Sequence, residues 1–326
     1  MNKFITKEEF KKNPNYIVPI CYDEVYKEIF GNPQNIVFTE YLVSALLNIP
    51  YKVIKGKIHF QTKNSLKLNV KKRNIEKDVV FLVEVKEPQI LNLEMNLHDL
   101  TNLKIKRNTK YISDIYSNLQ VPSKDKNIKV KYVTQFNFNT ECVDKENKLI
   151  YDEYYYRNDK GHILTNTTRI VHINVAKMSE LWYNNEYKKY PDISSIVFWF
   201  GAVIMTHEKK KLKELVNNAP IDKQIATMLE RKVLNMNDDS ELFGRYYNRE
   251  EEYKFWRDLE REELKEEAIE EGHQEGLKEG ILQYKTQIVM TMHEKNYPLE
   301  TIKEITKLSE KEINKIIKNN SKSHKK

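Results

Sequence analysis

An aspartate at position 78, a glutamate at 94 and an asparagine at 96 lie in KDVVFLVEVKEPQILNLEMN, residues 77–96 of a 326-residue sequence. Two apolar, strand-patterned runs flank Glu87-Pro88-Gln89, which predicts an antiparallel hairpin. A turn centred near Lys86 sets Val79 opposite Leu93 and Asp78 opposite Glu94. Opposed residues share a face with Cβ atoms about 4.5–5.5 Å apart, and like charges there repel. A hard divalent cation, Mg²⁺ or Mn²⁺, bound by the two carboxylates and water would remove that repulsion and equip the pair for hydrolysis. Alternation in ILNLEMN places Leu91, Leu93 and Met95 on one face and Asn92, Glu94 and Asn96 on the other. The competing reading is a solvent-exposed face, and a one-residue slip in register would turn one carboxylate away.

The elements that must hold these residues follow from periodicity. Residues 20–48 have helical spacing broken at Gly31-Asn32-Pro33, so two helices joined by a turn are expected. Strand-patterned runs follow at 51–60, 66–70, 78–85 and 90–95, then a helix over about 97–120. Further strands are expected at 128–138 and 168–175, with an aromatic-rich run at 149–156 between them. From 178 onward the pattern is helical. This order indicates an α/β (α+β) domain over 1–185, a helical region at 186–248, an acidic helix at 249–284 and a small basic helical pair with a tail at 285–326.

Composition narrows the class. Hydrophobic residues make up 40%, enough for a core, and 32% of residues are charged. Full disorder is therefore excluded. The longest apolar run, 196–205, is far short of the roughly 18–20 residues that cross a bilayer and reads as a buried helix. The opening MNKFITKEEFKK carries charges where a secretory segment would be apolar, so a cytoplasmic protein is expected. Cys21 and Cys142 lie far apart without CxxC spacing and read as reduced thiols. No GxxxxGKS loop occurs, which argues against a P-loop NTPase.

The net charge of +7, from 55 Lys+Arg and 48 Asp+Glu, is a cancellation. Residues 51–137 carry 18 basic and 8 acidic residues, 250–280 carry 5 and 13, and 281–326 carry 10 and 5. A basic segment around the carboxylate pair suits a polyphosphate partner. The sequence is also rich in Lys, Asn, Ile and Tyr, all read from AT-rich codons, so a Lys-rich solvated surface is the competing reading.

YKEIFGNPQN, EYLVSALL, KDVV, LNLEMN, KRNTKYISDIYSNLQ, TRIVHINVAKM, EEGHQEGLKEG and ETIKEITKLSEKEINKI occur in an order that resembles one family. It is the Rpn-type, transposase-associated recombination-promoting nucleases of the PD-(D/E)XK superfamily. The resemblance implies a restriction-endonuclease-like core, a mixed central sheet flanked by helices, and a metal-dependent DNA endonuclease. Carried over by position, Asp78 and Glu94 would be metal ligands, and Asn96 would take the place held by Lys in the superfamily and often by Gln in this group. An amide can orient water but brings no cation to the developing phosphorane, so the charge must come from the metal or from Lys77, Lys104 or Arg107. Arg107 and Tyr111, one helical turn apart, would contact DNA, with Tyr111 as a core aromatic the alternative. Glu40 is the candidate for an additional carboxylate, with an exposed helix residue the alternative. The competing function is a catalytically degenerate DNA-binding or oligomerisation protein.

Outside that constellation, His172, Trp182 and Tyr183 read as packed or hydrogen-bonded residues. Gly272, Gly276 and Gly280 recur every four residues beside Glu271, Glu275 and Glu279, which fits either a self-associating helix or a polar spacer. Pro298 and a Ser309…Glu312 capping box delimit two short helices, 299–308 and 310–318. With their net positive charge these form either a DNA-contacting pair or a packing and oligomerisation element.

Overall fold

A computed structural model describes residues 10, 12–61, 79–97, 102–117, 130–140, 149–238 and 249–323. Helix α1 (Asp23–Tyr26) runs into a π-turn over Lys27–Gly31, and Pro33–Asn35 makes a 3-10 turn before α2 (Ile36–Leu47). Asn32 starts that second segment, its side-chain oxygen accepting from the Gln34 amide at 2.9 Å, which is the local bond that favours Asn at a helix entry. The break at Gly31-Asn32-Pro33 is the expected one. The first part of the strand expected at 51–60 is instead a helical turn, α3 (Tyr51–Ile54), and β1 covers only Ile58–Phe60. Tyr51 stacks on Tyr41 with ring centroids 4.0 Å apart, and such tertiary contacts override a β-propensity. The run at 66–70 lies outside the described residues.

β1, β2 (Val79–Val83) and β3 (Gln89–Asn96) form an antiparallel meander. The expected register holds, with Val79 opposite Leu93 and Val80 opposite Asn92. Helix α4 (Asn102–Ser117) connects β3 to β4 (Tyr132–Asn139), which pairs with β3 in parallel, the kind of connection parallel strands need. β5 (Tyr151–Arg157) and β6 (Ile163–Asn174) complete the sheet in the order β1-β2-β3-β4-β6-β5, with β4 and β6 parallel.

The two faces of the sheet differ. Phe81, Val83, Leu91, Leu93, Phe136, Phe138, Val171 and Ile173 point into the main core. There they share a cluster with residues of α2, α5 (Val175–Tyr183) and α6 (Ser195–Met205). α6 is the apolar run read as a buried helix, and its Trp199 indole donates to the Leu215 carbonyl at 2.9 Å. α7 (Lys209–Asn217) and α8 (Lys223–Asp238) send Leu212, Leu215, Leu229 and Val233 into the same core. Trp182 stacks on Tyr187, and Cys21 is a buried free thiol; Cys142 lies outside the described residues. On the opposite face Ile112 and Ile115 of α4 cover Ile90 and Val133, with Val80, Leu82 and Ile170 around them.

The chain is thus a mixed α/β protein with a six-stranded mixed sheet flanked by helices and a helical C-terminal part. Its contacts divide it into Met1–Arg249 and Glu250–Lys326. The second unit holds most of α9 (Arg249–Glu294), then α10 (Leu299–Thr306) and α11 (Glu310–Ser323). Gly272, Gly276 and Gly280 are exposed along α9. No helix among the described residues is long and apolar enough to cross a membrane.

Packing of α5 on α6 depends on Gly201, where an added Cβ would come 2.8 Å from the Met178 Cβ. Gly201→Ala should therefore destabilise the fold by roughly 1–3 kcal/mol through overpacking. Urea unfolding of the two proteins measures this, and an unchanged midpoint would contradict the close approach.

A candidate polar site on the sheet

Parallel strands in register bring residues of the same parity to the same face. The β3–β4–β6 register aligns Asn92 with Gln135, Glu94 with Asn137 and His172, and Asn96 with Asn139. All seven side chains belong to buried residues, with Glu94 only 2% exposed. They lie on the α4 side of the sheet, at its C-terminal end beyond the Ile90–Val133 cluster. Glu94 and Asn96 thus share the face read from ILNLEMN, and that face is covered, contrary to the solvent-exposed reading.

The row is hydrogen-bonded from both ends. Asn92 Nδ2 donates to Glu94 Oε1 at 2.9 Å and to Gln135 Oε1 at 3.1 Å; Gln135 Nε2 donates to Asn137 Oδ1 at 3.0 Å. Asn137 Nδ2 then lies 3.4 Å from His172 Nε2. From the other end, Arg107 Nη2 and Asn108 Nδ2 both reach Asn96 Oδ1 at 3.4 Å, Asn96 Nδ2 donates to Asn139 Oδ1 at 3.0 Å, and Asn139 Nδ2 meets His172 Nδ1 at 3.0 Å. Burial pushes His172 down to about 4, opposed by Asp152. The ring is therefore neutral near pH 7 and has one acceptor nitrogen.

Two amide donors converge on that one acceptor. Only one of them can donate to it, so one arm must turn. The shorter contact makes Nδ1 the acceptor and leaves the proton on Nε2, which turns Asn137 to present its oxygen. The resulting donor–donor meeting can move from Asn137 to Gln135 to Asn92 along these contacts. In addition Asn92 Oδ1 and Asn108 Oδ1 are buried with no hydrogen-bond partner among the described residues. Buried polar groups that a fold leaves unsatisfied cost about 1–3 kcal/mol each, and they concentrate where function requires them.

The remaining predicted residues divide three ways. Lys77 and Asp78 lie outside the described residues, and Lys104 is placed only as part of α4. Arg107 sits over the Tyr111 ring at 5.7 Å, and Tyr111 is buried, so it is the core aromatic of the alternative reading. Glu40 is buried rather than an exposed helix residue; its Oε1 accepts from the Gly56 amide at 2.6 Å and its Oε2 from the Tyr51 hydroxyl at 3.3 Å. Burial and then the Glu40 charge push the Tyr51 phenol up to about 12.

Sequence reading missed Gln135, Asn137 and Asn139, although YVTQFNFN repeats the polar-every-second pattern of ILNLEMN. A separate cleft of ≈ 580 Å³ at the N-terminal ends of the same strands is lined by Gln89, Thr134, Tyr155, Asn166 and Arg169. Arg169 is committed there to Glu153 at 3.3 Å and Thr134 at 3.2 Å.

Glu94 and Asn92 offer hard oxygen donors, the chemistry that Mg²⁺ or Mn²⁺ takes. Among the described residues no group of three or more His, Cys, Asp or Glu converges to hold a metal ion. Searches of protein-family models, curated proteins and solved structures find no match to this chain.

His172 makes stability depend on pH. Its folded pKa lies below its ordinary 6.5, so the unfolded chain binds the extra proton and stability falls as pH drops from above 6.5 towards 4. The full shift corresponds to about 3 kcal/mol. Urea melts at pH 7.5 and pH 5 should show about 2 kcal/mol of this loss in the wild type and a smaller loss in His172→Gln. Equal pH dependence in both proteins would count against a buried neutral imidazole.

Proposed function

We propose that this protein is a divalent-metal-dependent DNA endonuclease of the Rpn-type PD-(D/E)XK kind. The observation that carries this reading is the buried Asn92–Glu94–Asn96 row at the C-terminal end of a parallel strand, with Arg107 against Asn96. In open α/β sheets ligands bind at the carboxyl ends of the strands, and Asn92 Oδ1, buried beside Glu94 with no hydrogen-bond partner among the described residues, is an oxygen donor open to a cation. The mixed sheet with flanking helices supports the restriction-endonuclease-like core that the sequence resemblance implies.

Glu94 would hold the metal together with Asp78, whose chain neighbour Val79 pairs with Leu93. A cation there supplies a lowered water pKa and a counter-charge for the scissile phosphate. Arg107 provides the positive charge that Asn96 lacks, and stabilises negative charge as it develops on the phosphoryl oxygens. Glu94 is buried and Arg107 half-buried, and charge interactions are stronger there than in open water.

One observation favours the second reading, a DNA-binding protein with a degenerate nuclease core. Both polar atoms of Asn96 are already engaged, by Asn139 on one side and by Arg107 and Asn108 on the other. To position water Asn96 must exchange one of these partners. Nicking of supercoiled plasmid with Mg²⁺ or Mn²⁺ separates the readings. Glu94→Ala and Asp78→Ala should each lower the rate at least about 100-fold, and Arg107→Gln about 10–100-fold. Equal rates in all four proteins, or none in the wild type with either ion, would remove the enzyme reading.

A further inference from the structure

The nuclease reading leaves the unit 250–326 without a task. Its α10 and α11 are joined by three residues, of which Lys307 takes a left-handed conformation at φ 56°. The turn is locked at both ends. The Lys307 amide donates to the Lys303 carbonyl at 2.9 Å, and at the start of α11 the Glu312 carboxylate accepts from the Ser309 hydroxyl at 2.6 Å and its amide at 2.8 Å. Ile302 of α10 and Ile313 of α11 are buried together with Val289 and Met292 of α9. Two short helices joined by a three-residue turn and packed on a third helix share that connectivity with helix-turn-helix DNA readers.

The second helix of this frame is strongly two-sided. Ile313, Ile316 and Ile317 pack inward, while Lys311, Asn314, Lys315 and Lys318 stand exposed on the opposite face at i, i+3, i+4 and i+7. Glu312, at the margin, is held by the capping box. From Lys311 to the chain end the sequence carries six lysines and one glutamate. Protein interfaces are depleted in Lys and enriched in aromatic residues, whereas lysines spaced along a helix neutralise phosphates. We propose that α11 is a duplex-DNA-binding helix, with Lys311, Lys315 and Lys318 on the phosphate backbone and Asn314 facing base edges. The nuclease reading contributes only the choice of DNA over other polyanions.

The test is anisotropy titration of a short labelled duplex by the full chain in EDTA, over a range of salt, so that cleavage plays no part. The triple variant Lys311→Gln/Lys315→Gln/Lys318→Gln should bind at least about tenfold more weakly, with a log–log salt slope shallower by about 2–3. Its helicity and its mass in solution should match the wild type. Unchanged affinity and slope would overturn the proposal, as would a variant that changes oligomeric state or a wild type that prefers duplex RNA. A wild type that never nicks plasmid but loses duplex affinity in the triple variant retains this proposal and removes only the nuclease reading.

Discussion

The parallel register of β3 against β4 and β6 is the constraint from which the candidate site follows. Each of these strands alternates apolar and polar residues over its last four positions. Because the side-chain period is two, pairing Leu93 with Phe136 and Val171 commits Asn92, Glu94, Asn96, Gln135, Asn137, Asn139 and His172 to the other face. A shift of any strand by one residue would bury amides among Phe136, Phe138 and Ile173 and expose the apolar set. The main core therefore enforces the polar row, and the row cannot be loosened without opening that core.

Given the row, helix α4 has two kinds of work. Ile112 and Ile115 bury apolar surface on one half of the sheet face, and one to two turns earlier Arg107 and Asn108 bond Asn96. The Glu94 carboxylate at one end and the Arg107 guanidinium at the other are linked through amides and the His172 imidazole. The two arms meet at His172, whose neutral ring can accept from only one of them. A fold selected for stability alone would fill such a face with aliphatic residues, since well-packed apolar replacements of buried polar networks are often neutral or stabilising. The retained disagreement is the physical reason to read function here.

Much of this was legible in the chain. The hairpin register was readable because Glu87-Pro88-Gln89 marks the turn, and the one-residue slip left open by the pattern is closed by the pairing of Val79 with Leu93. Two local breaks were equally readable, at Gly31-Asn32-Pro33 and at the Ser309–Glu312 capping box. The segment at 51–54 was not, because Tyr51 and Val53 favour a strand until the stacking on Tyr41 and the bond to Glu40 are known. The role of Glu40 was hidden for the same reason: its partners, Gly56 and Tyr51, are reached only once α3 folds back on α2.

The sequence by itself determined which residues share a face within each strand and helix, because local periodicity is a property of backbone geometry. It therefore identified Asn92, Glu94 and Asn96 as one row. Only the tertiary structure decided that this row is buried rather than wet. It also decided that Gln135, Asn137, Asn139 and His172 extend the row across three strands, and that Arg107 is the cation at its end. Those outcomes depend on pairing between residues 43 positions apart for β3 with β4 and 35 for β4 with β6, and no local pattern encodes which parallel neighbour a strand takes.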